Sequence, residues 1–352
     1  MNRRLLGLCA LAAAMTGGCS KSDHTPAPPA VTEPRYFVIS GASLTTYTNN
    51  EGATNIFSLT QGTFEEWISD FAVSGNRIVM VRNATSIIEV IDRQTYAAIA
   101  SLNYSNAGTG NYHKHIDIVG NKAFISDRAP LGHTINDESY IKVINLDVPA
   151  QIDSIPVVED EPIWAMAHVD NKLFVSASQT KPTIFVYDAT TYNKLQEITT
   201  AGVCSNMTID KDKNILAFTY GSVTRISSVD YSVTSPKETG GTYINVGYSY
   251  STCSQAYGLD SAANVLYFFR TAPQPAAAPF ILSSYDLNTD VASVLLTTFI
   301  SGETLSYDRK NKFILIGTGD NTGTFVNMYS TDGVVLRSFN TPQLSTKIIV
   351  VY

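Results

Sequence analysis

The chain has 352 residues, of which 44% are hydrophobic and 16% charged, and its 24 basic and 31 acidic side chains give a formal net charge of −7. An acidic chain without a cluster of lysine and arginine is a poor partner for nucleic acid or for anionic lipid head groups. We therefore expect no nucleic-acid-binding function.

Residues 1–18 have the features of a lipoprotein signal peptide. A short cationic stretch precedes an apolar run from Leu5 to Met15, which is too short to span a bilayer as a helix. Two glycines then lead to Cys19, as in the lipobox of bacterial lipoproteins, with Thr16 in place of the usual leucine. We expect cleavage before Cys19 and attachment of lipid to it. An ordinary secretory signal with an incidental cysteine is the alternative.

Residues 19–34 form a predicted tether between this anchor and a single domain, residues 35–352. The segment contains four prolines and almost nothing to bury. Such a composition gives a semi-rigid, extended linker.

From residue 35 onward one unit recurs, in which an apolar strand, a short turn of Gly, Asn or Asp and a second apolar strand follow each other. It occurs at Phe71–Val81, Ile116–Ile125, Ala167–Val175, Ile209–Leu216, Leu259–Leu266 and Tyr307–Ile314. Two strands joined by such a turn form a β-hairpin. A third strand and a weaker fourth follow each hairpin, and the period is about 40–50 residues. This pattern predicts the blades of an all-β propeller.

Six blades have a turn of their own, and a seventh can be assembled from two distant segments. Tyr36–Ser40 has the pattern of a second strand, and Lys347–Tyr352 has that of a first strand. Pairing these N- and C-terminal strands would close the ring and cover exposed strand edges. We predict a seven-bladed β-propeller of four-stranded antiparallel blades. Eight blades, or six blades with a stray N-terminal strand, are the alternatives.

The signal, the tether and the repeats together resemble the YncE-like seven-bladed propeller lipoproteins. The repeat segments that carry the likeness are Gly120–Lys122, before an apolar strand, and Val186–Thr191, at the end of one. The resemblance covers residues 35–352 and implies the fold more specifically than the function. Some members, the BtuG-type propellers among them, capture scarce ligands beside TonB-dependent transporters. The resemblance implies an outer-membrane, cell-surface location, with the periplasmic face as the alternative.

Four large aromatic side chains precede innermost strands of the predicted blades. On one rim of the ring they would form a stacking platform for a flat or sugar-like ligand. The alternative is that they plug the channel or pack between blades. These four residues are Trp67, Tyr112, Trp164 and Tyr257.

Long connections supply further candidate ligand contacts. Residues 241–255 carry Tyr248 and Tyr250, and Arg270 opens a proline-rich loop in the same blade. Arg128 opens a loop of another blade. Long insertions on a propeller rim are often functional, although a solvated flap is the alternative.

A metal site is a further hypothesis. His113, His115 and Asp117 alternate along one predicted strand and would share a face. Their nitrogen and oxygen atoms suit zinc or a similar divalent ion. Structural histidines with hydrogen bonds inside the fold are the alternative, since the sequence fixes no second ligand cluster.

Cys204 and Cys253 occupy equivalent loop positions of adjacent blades. In an oxidising compartment an even pair of cysteines on neighbouring loops predicts a disulfide. Two free, buried thiols are the alternative.

No linear catalytic signature is present, so a binding protein is expected before an enzyme, and no cofactor is predicted. We predict capture of a small molecule or glycan for a TonB-dependent uptake system. The alternatives are a scaffold for protein interaction or adhesion, and a metal-dependent propeller hydrolase or lactonase.

Overall fold

The computed structural model describes residues 34–48, 54–58, 68–82, 87–103, 115–128, 138–159, 163–177, 182–204, 206–219, 222–234, 237–238, 257–271, 280–299, 304–320, 323–343 and 345–352. This part of the chain contains 28 strands in seven four-stranded antiparallel sheets. Each sheet is one blade of a ring, so the predicted seven-bladed propeller is confirmed. Within the ranges given, no helix has the length and apolar character needed to cross a bilayer.

Each blade passes from an innermost to an outermost strand. The innermost strands are β4 (Ile68–Ser74), β8 (Ile116–Val119), β12 (Ile163–Val169), β16 (Asn206–Ile209), β20 (Tyr257–Asp260), β24 (Thr304–Asp308) and β28 (Ser345–Val351). The second strands are β5 (Arg77–Arg82), β9 (Lys122–Arg128), β13 (Lys172–Ala177), β17 (Ile215–Thr219), β21 (Val265–Thr271), β25 (Phe313–Asp320) and β1 (Arg35–Ser40).

The two outer positions complete each blade. The third strands are β6 (Ile87–Asp92), β10 (Glu138–Asn145), β14 (Thr183–Asp188), β18 (Ser222–Ile226), β22 (Phe280–Asp286), β26 (Gly323–Ser330) and β2 (Ser43–Thr48). The outermost strands are β7 (Ala98–Asn103), β11 (Ile152–Glu159), β15 (Lys194–Thr199), β19 (Lys237–Glu238), β23 (Val291–Phe299), β27 (Val335–Thr341) and β3 (Thr54–Ser58). Blades I to VI start at β4, β8, β12, β16, β20 and β24, and blade VII contains β28, β1, β2 and β3.

The recurring turn residues hold the two hairpins of a blade together. The first turn position has a left-handed backbone at Gly75 and Gly120, where glycine carries no steric penalty. In blade I the Asn76 side chain donates to Asp92 over 2.6 Å, and the Asn76 carbonyl accepts from the Arg93 N–H. In blades II, III and V the equivalent asparagine joins the same two turns, whereas in blades IV and VI Asn214 and Asn311 donate to an aspartate of their own turn.

The hydrophobic core is divided among the blade interfaces. Seven clusters of buried side chains occur, one between each pair of neighbouring blades. Between blades II and III, for example, Phe124 packs with Leu173 and Val175. Each sheet therefore buries both faces, which explains why the inner strands are apolar at almost every position.

Blade VII closes the ring as predicted. β28 pairs antiparallel with β1, with Phe37 opposite Ile349. Two tyrosines of this blade fix it to blade VI, since Tyr36 and Tyr352 donate to the two carboxylate oxygens of Asp308 over 2.8 and 2.7 Å. The pairing of distant segments and a shared carboxylate thus close the propeller.

Candidate functional site: the axial cavity

A cavity of about 550 Å³ lies on the axis of the ring. All seven innermost strands contribute to its wall, and their C-terminal halves dominate it. Ser261, Arg309 and Tyr352 lie just beyond the ends of three of these strands and also line the cavity. The cavity therefore extends toward the end of the ring that carries the turns after the innermost strands.

One side of the wall contains a buried ion pair. Lys347 on β28 donates to Asp70 Oδ1 and to the Phe71 carbonyl oxygen, at 2.5 and 3.1 Å. Asp70 also accepts from the backbone N–H groups of Phe71 and Ile116, over 2.7 and 3.0 Å. Burial raises the pKa of Asp70, and the Lys347 charge acts in the opposite direction. The pair links blades VII, I and II.

The opposite side of the wall contains a histidine–carboxylate pair. Nδ1 of His168, on β12, lies 2.9 Å from each carboxylate oxygen of Asp117, on β8. The hydrogen bond that His168 donates to Asp117 raises the pKa of His168 above its ordinary value, against the effect of burial. An ionised carboxylate only accepts, so Nδ1 carries a proton and Nε2 is the nitrogen left for a ligand.

Apolar side chains separate these polar groups. Met166, Leu259 and Ile349 are half-buried and line the cavity from blades III, V and VII. Ser306 adds a hydroxyl from blade VI. The wall thus presents polar and apolar surface side by side, and converging polar groups fix the orientation of a ligand in small-molecule sites.

The aromatic residues predicted to form a platform are only partly described. Trp67, Tyr112, Tyr248 and Tyr250 lie outside the described residues. Trp164 is half-buried near the start of β12, at a bulge between the pairs Ile163–Ala177 and Ala165–Ser176.

Tyr257 is 7% exposed and stacks on Phe218, with ring centroids 4.6 Å apart. Its hydroxyl donates to the Met207 carbonyl oxygen over 2.8 Å. Tyr257 therefore packs between blades IV and V while it borders the cavity. Arg128 ends β9 and Arg270 lies in β21; their side chains lie outside the described part.

The predicted metal site is only partly described and stays a prediction. His113 lies outside the described residues, and His115 immediately precedes β8. Asp117 instead pairs with His168. Among the residues that the structure describes, no three His, Cys, Asp or Glu side chains are placed to hold a metal ion.

The predicted disulfide stays a prediction, because its second residue, Cys253, is not described. In the structure Cys204 is a free, buried thiol. Its Sγ donates to the Asn206 carbonyl oxygen over 3.7 Å, and burial raises its pKa. It packs in the cluster between blades III and IV. Cys253 lies outside the described residues, as do Cys19 and the tether.

The two charged pairs of the cavity were missed at the sequence level. Asp70, His168 and Lys347 each interrupt an innermost strand as its one ionisable side chain. This single ionisable residue was the feature of the sequence that could have indicated the pairs, because a polar side chain in a buried strand must find a partner or face the axis.

No family model matches the chain, and no curated protein matches it. Among solved structures, the chain is similar to a functionally unknown protein from Desulfotomaculum acetoxidans DSM 771. The TM-score is 0.61 at 11% sequence identity, over 90% of this chain and 98% of that chain. The similarity supports the propeller fold and assigns no function.

Proposed function

We propose that this protein is a membrane-tethered propeller that captures a small molecule or glycan in its axial cavity. The observation that carries the proposal is the convergence of Lys347, Asp117, His168 and Ser306 on one cavity among apolar side chains. Its volume of about 550 Å³ falls within the range of about 300–1,000 Å³ that is typical of small-molecule sites.

The proposed setting is the outer membrane. The signal peptide, Cys19 and the proline-rich segment support a lipid anchor with the propeller held away from the bilayer. The resemblance to YncE-like and BtuG-type propellers favours a TonB-dependent transporter as the partner that receives the ligand. Trp67, Tyr112 and Trp164 stay predicted ligand contacts, on the basis of their positions in the sequence before or at the start of innermost strands.

Thermal unfolding of the full chain in detergent tests the capture function. Corrinoids, haem, ferric siderophores and oligosaccharides are each added in large excess. A ligand that binds only the folded state adds about 2.7 kcal/mol at 100 times its Kd, which raises the Tm measurably. We expect one class of ligand to raise the Tm. Met166→Trp places a larger side chain in the cavity and is expected to abolish this rise. No shift with any class would argue against capture.

The anchor is tested separately by Cys19→Ala. We expect this variant to lose its lipid and to move from the membrane fraction to the soluble fraction, because the tether alone has nothing to bury. Ser20→Ala is the matched control and is expected to stay with the membrane. Retention of Cys19→Ala on the membrane would contradict a lipid anchor.

A second candidate function, a protein-interaction scaffold, is favoured by the outer surface of blades V and VI. The outermost strands β23 and β27 expose Val291, Val294, Val335 and Leu336. Exposed apolar side chains on neighbouring strands mark protein-binding surfaces. Cross-linking in intact cells tests this role, since Val294→Lys with Leu336→Lys should remove a specific adduct. If all adducts persist, this surface is not the interface.

A further inference from the structure

We propose that the ligand of the axial cavity is a neutral, polyhydroxylated compound of sugar or polyol type, held between His168 and Lys347. This inference rests on the proposed capture function and names its ligand class.

In the cavity wall, carboxylates balance the charges of Lys347 and His168. Lys347 is paired with Asp70, and His168 is paired with Asp117. Arg309 also lines the cavity, but it is exposed at the end of the cavity and lies over the ring of Tyr352. A charged ligand held between Lys347 and His168 would have to separate one of these pairs or leave its own charge uncompensated in a partly buried site, and either costs free energy. A neutral ligand leaves both pairs intact.

The polar groups of the cavity wall keep some donors and acceptors for a ligand. An ammonium group has three donors, and Lys347 uses two of them on Asp70 and Phe71. His168 uses Nδ1 on Asp117, and its Nε2 accepts when the ring is neutral and donates when it is charged. Ser306 adds a hydroxyl that can donate and accept. Hydroxyl groups match this mixture, because each one both donates and accepts.

The positions of Lys347 and His168 around the axis determine how a ligand can reach both. Following the ring from β28, the innermost strands β4 and β8 come before β12, so Lys347 and His168 stand on opposite sides. A ligand that reaches both must therefore fill the axis. Between them, Met166, Leu259 and Ile349 offer apolar surface, on which the C–H faces of a sugar ring can pack.

Isothermal titration calorimetry on the full chain in detergent tests the proposal. The probes are glucose, maltose and myo-inositol as neutral polyols, succinate and phosphate as anions, and putrescine as a cation. We expect saturable binding of at least one neutral polyol and none of the ionic probes. His168→Leu removes Nε2 from the site, and Met166→Trp places a larger side chain in the cavity. Each is expected to weaken polyol binding at least tenfold.

Lys194→Met, on the outermost strand β15, is the matched control and should bind as the wild type does. Binding of an ionic probe alone, abolished by Met166→Trp, would overturn the ligand class and leave the capture function standing. Polyol binding that survives Met166→Trp would place the site elsewhere and overturn the inference. If no probe binds, the polyol assignment fails. The capture function fails as well only if the corrinoids, haem, ferric siderophores and oligosaccharides also leave the Tm unchanged.

Discussion

Lys347 and Asp70 form a buried ion pair between the closing strand and blade I, although 277 positions separate them in the chain. Asp70 is 3% exposed, and its remaining hydrogen bonds come from backbone N–H groups. The pair therefore links ring closure to the wall of the cavity, and removing one partner leaves a buried charge without compensation.

We expect Lys347→Met to lower the free energy of unfolding by about 3–5 kcal/mol, measured by denaturant unfolding. The loss should be larger at pH 8 than at pH 5, because Asp70 takes up a proton as the pH falls. Adding Asp70→Asn should recover most of the stability, since no buried charge then remains. Lys194→Met, which breaks an exposed pair with Glu197, should cost less than about 1 kcal/mol. Equal losses in both lysine variants would contradict this account.

The His168–Asp117 pair predicts that stability depends on pH. The folded-state pKa of His168 is raised, so its contribution is complete below the unfolded pKa of about 6.5 and is lost as the pH rises through the folded pKa. We expect His168→Gln to lower the Tm more at pH 6 than at pH 9. Asp117→Asn should remove most of this pH dependence. A difference in Tm that does not change with pH would show that the pair contributes nothing through charge.

The closing strand predicts a steep cost of truncation. Ile348 is fully buried between blades VI and VII, and Ile348→Ala should cost about 2–5 kcal/mol through lost burial and the cavity left behind. Val335→Ala, at a 55% exposed position, should change stability by less than about 0.5 kcal/mol. Deletion of residues 347–352 should give aggregated protein in size-exclusion chromatography. A soluble, folded truncation would refute closure by this strand.

The state of Cys204 predicts how it reacts. Because the thiol is buried and its pKa is raised, we expect no alkylation by iodoacetamide in the folded protein and complete alkylation in guanidinium. Peptide mapping at Cys204 measures both states. Full reaction in guanidinium without a reductant also tests the free thiol, because a bond to Cys253 would block it. Cys253→Ser is the control and should leave the pattern at Cys204 unchanged.

The fold was predictable because its signals are local and repeated. Gly75, Asn76 and their equivalents set a hairpin turn in blades I to VI, and the strand patterns of Tyr36–Ser40 and Lys347–Tyr352 predicted their pairing. The repeat period and the apolar strands needed no information about distant contacts. Fold class and ring closure could therefore be read from the chain itself.

The site was much less predictable, because its partners lie far apart in sequence. Asp117 was assigned to a metal with its strand neighbours, whereas its partner is His168 in the next blade. Neither Asp70 nor Lys347 was predicted as a site residue, because each is a single polar residue whose partner is set only by closure of the ring. Which innermost residues meet between neighbouring blades depends on blade order and strand register, and a linear motif contains neither.

The pairing of β1 with β28 also sets the order of events during synthesis. Residues 35 and 351 are partners, so the final blade cannot form until the ribosome has released nearly the whole described chain. Contacts of such high sequence separation slow folding and leave intermediates with open edges. Until β28 has been made, blade VII therefore lacks its innermost strand and the ring stays incomplete.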